Sequence, residues 1–295
     1  MAKHLLTLLI SSLLAVSLFA DVLANPQFCV KDYEDNNVCL QKAAQRIVAL
    51  APHITENLFS IGAGKRIIAT VDYADFPSAA QSLPRVGGYN ISSIETIVAH
   101  EPDLVVFWGS GNSRKVLQQL QRLKIPVYID EPGTLADIAR SLKALGTLTG
   151  HSQEADMLAE DFLNKLKRLE QKQKREQPLE VFYQIWNDPL QTLNGTHITS
   201  NLISLCGGKN IFAEEKSIAP VVSREAIFSY NPEVILASGV KDERPVWLDD
   251  WKHYPQLRAV KNNQLLVLSA DLSQRHSLRI LEGAELLCEM FSQVQ

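Results

Sequence analysis

Two glutamates of this chain stand in the same short phrase. Ser93-Ile94-Glu95 opens a stretch that runs through Glu101-Pro102-Asp103 into Leu104-Val105-Val106. The pattern returns as Ser223-Arg224-Glu225, running through Asn231-Pro232-Glu233 into Val234-Ile235-Leu236. The shared order is Ser-x-Glu, a short apolar helix, Pro-acid and a buried strand. A Glu in a first helical turn meets the positive end of the helix dipole, and Ser92 with Glu95 fits a capping box, so one copy needs no function. Two equivalent carboxylates on two similar units make a pair of anionic studs able to grip arginines on a two-fold symmetric partner.

The other chemistry-bearing residues fall where predicted strands end. Tyr73, Tyr89 and Trp108 lie there in the first half and Trp186 in the second. Open parallel sheets bind ligands beyond the carboxyl ends of their strands, and aromatics converging from two sides suit a flat or bulky organic ligand; each ring also has the plainer option of packing in its own unit. Gly109-Ser110-Gly111-Asn112 predicts an open loop that leaves the edge of Trp108 free. Asp271 and Arg275 follow the last predicted strand and can hydrogen-bond amide or carboxylate groups of a ligand, or pair with each other at i,i+4. His53, after the first strand, is either a ligand contact or a helix-start histidine. The sequence has no G-x-S-x-G elbow, Walker loop, G-x-G-x-x-G after the first strand or H-E-x-x-H, and its seven histidines are scattered. This residue set reads as binding, not catalysis, with no cofactor and no metal.

The elements that must position these residues alternate short β-branched runs with amphipathic helical patterns, the mark of parallel sheets with crossover helices. Strands are predicted at Arg46–Leu50, Ile67–Val71, Leu104–Trp108 and Pro126–Asp130, with helices near Thr55–Ile61, Ser93–His100, Asn112–Leu123 and Leu135–Leu148. From Ser152 to Gln177 there is no Gly or Pro, and Ala155, Leu158, Phe162, Leu166 and Leu169 recur at helical spacing. This predicts one long connecting helix. A strand at Glu180–Trp186, helices near Thr199–Leu205, closed by Gly207-Gly208, and at the Ser223 motif, strands at Val234–Ala237 and Leu265–Leu268, and a terminal helix from Gln274 to Ser292 complete a second lobe. The expectation is an α/β protein of two similar lobes with parallel sheets joined by one long backbone helix: a hairpin over 25–45, lobes over 46–151 and 179–295, and a connector over 152–178.

Lys3 and His4, the apolar run Leu5 to Ala20 and the small residues near Ala24 read as an export signal, residues 1–24, cleaved after Ala24 to leave a soluble periplasmic protein. The net charge of −4 excludes nucleic acid and anionic membrane surfaces as partners, and nothing forces oligomerisation, so a monomer is expected. Four cysteines in an exported chain imply two disulfides. Cys29 and Cys39 flank the turn-forming Glu34-Asp35-Asn36-Asn37, which would set them across a hairpin. Cys206 and Cys288 remain, both in the second half; a bridge there would tie the terminal helix to its lobe.

At this point the chain resembles the helical-backbone (class III) substrate-binding proteins of ABC importers that capture cobalamin, haem or iron siderophores. The likeness runs from about Arg46 to the C-terminus. It is carried by Arg46-Ile47-Val48-Ala49-Leu50-Ala51-Pro52 with Thr55-Glu56, Tyr73-x-Asp75-Phe76-Pro77, Glu101-Pro102-Asp103-Leu104-Val105, Cys206-Gly207-Gly208-x-Asn210-Ile211-Phe212, Val222-Ser223-Arg224-Glu225, and Arg279-Ile280-Leu281 through Leu287-Cys288. The cobalamin-capturing members are most similar. The resemblance implies that Tyr73, Tyr89 and Trp108 line a corrinoid pocket from the first lobe and Asp271 and Arg275 from the second. It further implies that Glu95 and Glu225 dock onto arginines of the importer's permease dimer, and that Cys206 and Cys288 are bridged. Ala219-Pro220 and Leu272 stand where such members carry tryptophan, and Ile185 takes the place of a pocket-facing Phe, with Trp186 one residue beyond. The resulting expectation is a periplasmic corrinoid carrier, with a haem or ferric-siderophore carrier, a sensor, or a metal-cofactor enzyme on the same two-lobe fold as alternatives.

Overall fold

The computed structural model describes residues 28–90, 92–172, 175–239 and 243–294, so the expected export signal lies outside the described residues. The first element is a hairpin of β1 (Phe28–Lys31) and β2 (Asn37–Leu40), with Cys29 opposite Cys39 and bonded to it. The first lobe follows as β3 (Ile47–Ala49), α1 (Pro52–Ser60), β4 (Ile67–Thr70), α2 (Ile94–Ala99), β5 (Leu104–Trp108), α3 (Arg114–Arg122), β6 (Val127–Asp130) and α4 (Asp137–Thr149). Helix α5 (Ser152–Lys172) leads to the second: β7 (Leu179–Gln184), α6 (Ile198–Leu205), β8 (Gly208–Asn210), α7 (Arg224–Tyr230), β9 (Val234–Gly239), α8 (Arg258–Lys261), β10 (Leu265–Ser269), α9 (Ala270–Ser273) and α10 (Ile280–Ser292).

Both sheets have four parallel strands, ordered β4-β3-β5-β6 and β10-β9-β7-β8. Counted within each lobe, the order is second, first, third, fourth in both. The Ser-x-Glu helices α2 and α7 each feed the third strand of their sheet, so the doubled phrase in the sequence marks a doubled fold. Each sheet is covered on both faces, which is why its strands read as near-continuous apolar runs. In the first lobe Val48, Leu50, Val105 and Phe107 pack one face with α2 and α3, while Ile47, Ala49, Leu104 and Val106 join the other. That second face belongs to an apolar core shared by both lobes, running through Leu145 of α4, Phe162 of α5, Leu202 of α6 and Leu287 of α10. Helix α4 meets α5 closely because Gly146 has no side chain: a Cβ there would fall 2.3 Å from that of Ala155. Cys206 is bonded to Cys288, fastening α10 to the end of α6.

Four local expectations are corrected. The terminal helix starts at Ile280, not Gln274, because the chain turns after α9 and the side chains around Arg275 reach across to the first lobe instead of continuing a helix. The connecting helix ends at Lys172, short of Gln177; Arg175 instead donates to the carbonyls of Phe291 and Val294 at the end of α10. Gly208, expected to close a helix, begins β8, which pairs with β7. The cap of α2 is Ser93, whose hydroxyl accepts from Thr96 N at 3.2 Å, whereas Ser92 donates to Gly88 O.

Candidate functional site

Helix α1 begins with Pro52, whose missing N–H is one a first helical turn does not use. Behind it, His53, Thr55, Glu56 and Asn57 are all buried, an unusual density of polar groups for an inner helix. Their partners explain it. Thr55 hydrogen-bonds Thr70 at 2.7 Å within the lobe, but Asn57 Nδ2 donates to His276 O at 2.9 Å and Glu56 faces three C-lobe side chains. Glu56, 2% exposed, lies 2.7 Å from Arg275, 3.4 Å from Arg279 and accepts from the Ser277 hydroxyl. This helix carries the first lobe's half of the boundary.

Arg275 is the hub of the second half. Besides Glu56 it pairs with Asp75 at 3.0 Å and with Asp271, one turn back, at 2.7 Å, and it donates to Tyr73 O at 3.2 Å. Burial works against its charge, but the bonds and charges of Glu56, Asp271 and Asp75 outweigh it and hold the pKa above the ordinary guanidinium range. The i,i+4 pair of Asp271 and Arg275 therefore exists, inside a larger group that ties the lobes together. Arg279 also stacks 4.1 Å over the Phe76 ring.

Beside this ionic group lies an aromatic one. Tyr89 and Trp108 have ring centroids 5.5 Å apart, Trp108 meets the edge of His53 at 5.3 Å, and His276 of the second lobe sits 5.1 Å from His53 and 6.0 Å from Trp108. His197, capping α6, is 6.2 Å beyond. Burial pushes the His197 pKa down to about 4; burial, with the neighbouring His53 and His197, holds His276 well below the usual imidazole value. Both rings are neutral at pH 7. His53 Nε2, Asn57 Oδ1, Trp108 Nε1, Asp130 Oδ2 and His276 Nδ1 are buried with no hydrogen-bond partner among the described residues, a concentration of unspent donors and acceptors at one boundary. Such a floor can exchange protein–protein contacts for polar groups of a ligand.

The structure brings Tyr89, Trp108, His53, Asp271 and Arg275 to this boundary. Tyr73 is there through its carbonyl, on a backbone at φ 64° that leaves the residue 76% exposed. Trp186 follows β7, 56% exposed, with its Nε1 donating to Asp188 O at 2.9 Å; it is not part of the aromatic cluster. The loop after Trp108 does not leave the ring edge free as expected: Gly111 lies against the indole, where a Cβ would come within 1.9 Å, and Asn112 Oδ1 accepts from Trp108 N while its Nδ2 donates to Tyr89 O and Leu50 O. Sequence reasoning assigned no site role to Asn57, His197 and His276, and Glu56 and Asp75 entered only as parts of the family motifs. The available signal was the polar run His53 to Asn57 on a helix whose neighbours are apolar.

Glu95 and Glu225 are both exposed at the first turns of α2 and α7, behind Ser93 and Ser223 caps that accept from Thr96 N and Ala226 N. Each carboxyl is held below its ordinary pKa, chiefly by its own backbone N–H and then by the capping serine. The two sites match in geometry and charge.

The family described as "Periplasmic binding protein" matches residues 47–272. A "Vitamin B12-binding protein" of Vibrio campbellii is 34% identical over 252 residues, 85% of this chain and 91% of that one; one from Yersinia pestis is 34% identical over 257 residues, 86% and 88%. Among solved structures, the periplasmic vitamin B12 binding protein BtuF of Vibrio cholerae superposes with TM-score 0.79 at 33% identity, covering 85% of this chain and 98% of its own. The periplasmic heme-binding protein RhuT from Roseiflexus sp. RS-1 shares the fold at TM-score 0.75 and 19% identity, covering 85% and 99%.

Proposed function

The chain belongs to the periplasmic binding protein family, and from that premise we propose that it captures cobalamin or a related corrinoid between its lobes and delivers it to an ABC importer. The observation that carries this reading is the convergence of Tyr89 and Trp108 from one lobe with Asp271, Arg275 and His276 from the other at the carboxyl ends of two parallel sheets. Aromatic faces receive the macrocycle, Tyr73 and Trp186 extend the wall, and the polar groups meet peripheral amides, each of which offers both a donor and an acceptor. The relatives named for vitamin B12 support the same ligand. The protein works as a periplasmic carrier, not an enzyme; the corrinoid is cargo, and no cofactor is needed.

Delivery rests on Glu95 and Glu225. Two exposed, ionised carboxylates on matching helices suit arginines on the two halves of a permease dimer, with the carrier docking as a monomer. The apolar run Leu5 to Ala20 behind Lys3 and His4 supports export with a cleaved signal, which puts the carrier on the side of the membrane where such a permease receives it.

Isothermal titration of the chain from Asn25 to Gln295 with cyanocobalamin, haemin and a ferric siderophore tests the assignment. One-to-one binding of the corrinoid alone is expected; haemin binding without corrinoid binding would reassign the cargo. The balance of charge favours the corrinoid, since Glu56, Asp75 and Asp271 outnumber Arg275 and Arg279 and repel a ligand carrying carboxylates.

A further inference from the structure

The hairpin β1–β2 precedes the family match, which starts at residue 47, yet its turn is wired to the cleft. Asp32 accepts from Glu34 N and Asn36 N, at 2.8 and 2.9 Å, and so holds the turn rigid with Tyr33 turned onto the first lobe. Tyr33 N donates to Ile129 O of the edge strand β6 at 3.1 Å, and the guanidinium of Arg140 stacks 4.2 Å over its ring. The phenol donates to Asp137 O at 2.8 Å and lies 3.1 Å from Ser141 Oγ.

Asp137 and Ser141 are one turn apart on α4. A buried helical serine can turn its proton back to the carbonyl four residues earlier, which for Ser141 is Asp137 O. Tyr33 occupies that carbonyl, and Ser141, fully buried, gives its proton to Asp130 Oδ1 instead. The other oxygen of Asp130 faces His53 Nε2 at 3.5 Å, and His53 supports the edge of Trp108. A hydroxyl on the appended hairpin thus sets the direction of a hydrogen bond two side chains from the cleft wall.

We propose that Tyr33 is a positioning residue for the ligand site: by occupying the Asp137 carbonyl it directs Ser141 onto Asp130, which fixes His53 beneath Trp108. The inference rests on the corrinoid reading for its affinity readout only. Without the phenol, Ser141 rotates back to Asp137 O and the buried Asp130 loses the one side-chain donor it has among the described residues, so His53 loses a fixed neighbour.

The test uses Tyr33→Phe, which keeps the ring on Arg140, alongside Ser141→Ala, the double variant, and Glu34→Ala, which breaks only the exposed pair of Glu34 with Arg114. Cyanocobalamin affinity is read by titration and the His53 ring by NMR. The expected result is a loss of about threefold to tenfold in affinity for either single variant, the size of one hydrogen bond. The double variant is expected to be no weaker than the singles, with a moved His53 ring signal in all three and none in Glu34→Ala. Unchanged affinity together with an unmoved His53 signal in Tyr33→Phe overturns the proposal, as do additive losses. If the unaltered protein binds no corrinoid, the ligand assignment fails by itself, and the His53 signal still decides for or against the relay.

Discussion

Glu56 and Arg275 meet at 2.7 Å across the boundary of the two lobes, with Glu56 almost wholly buried. The guanidinium expected to face a ligand is held by Glu56, Asp75 and Asp271, and the ionic group acts as a clasp. A corrinoid that recruits Arg275 has to compete with carboxylates already in place.

Replacing Glu56 by Gln removes the buried partner charge and leaves Arg275 and Arg279 short of one. The expected loss of stability is about 3 kcal/mol, as for breaking a buried pair, measured by urea unfolding. Loosening the clasp also frees Arg275, so stopped-flow mixing should show faster corrinoid association than in the unaltered protein. A slower or unchanged association rate would mean that the clasp is only structural.

Trp108→Ala should cut corrinoid affinity by about tenfold to a hundredfold, as for a buried aromatic anchor, with a circular dichroism spectrum like that of the unaltered protein. Tyr73→Ala, at a residue 76% exposed, should lower affinity with little change in thermal midpoint. Equal affinity in both variants would move the ligand away from this wall.

Glu95→Ala and Glu225→Ala should leave corrinoid titrations unchanged and each weaken capture by permease-containing liposomes, the double variant most. Because both carboxyls are held below their ordinary pKa, they keep their charge as the medium acidifies from pH 7 toward 5, and docking should be flat over that range. Docking by the double variant at full strength would remove the two-stud arrangement.

Stability should fall with acid for a separate reason. His197 and His276 are neutral in the fold, with pKa values lowered from 6.5, to about 4 for His197. The unfolded chain therefore binds more protons than the folded one below about pH 6.5. The sign follows: stability is full above that pH and declines on the way down to pH 4. His197→Gln should flatten the curve; an unaltered slope would assign the acid sensitivity elsewhere.

What the sequence disclosed tracks how local each feature is. Strand ends with aromatics, the paired Ser-x-Glu helices and the Asp271–Arg275 pair depend on neighbours within a few residues, and all are present. Glu56 escaped because its partner Arg275 lies 219 residues away, and no periodicity links the two. The Trp108 loop was misread for a related reason: glycines open a loop in sequence terms, but Gly111 serves close packing on the indole. Helix α9 and the late start of α10 at Ile280 were hidden because tertiary contacts around Arg275, not propensity, break the chain there.

The shared apolar core has a consequence for folding. Since Phe162, Leu202 and Leu287 close over the same interior as Ala49 and Val106, neither lobe owns a complete hydrophobic interior, and α5 is part of that interior as well as a link. Calorimetry should therefore record one melting transition with matching calorimetric and van't Hoff enthalpies. A fragment ending near residue 151 would present a sticky, half-built face to water, so the repeated halves, however alike, are obliged to live or melt together.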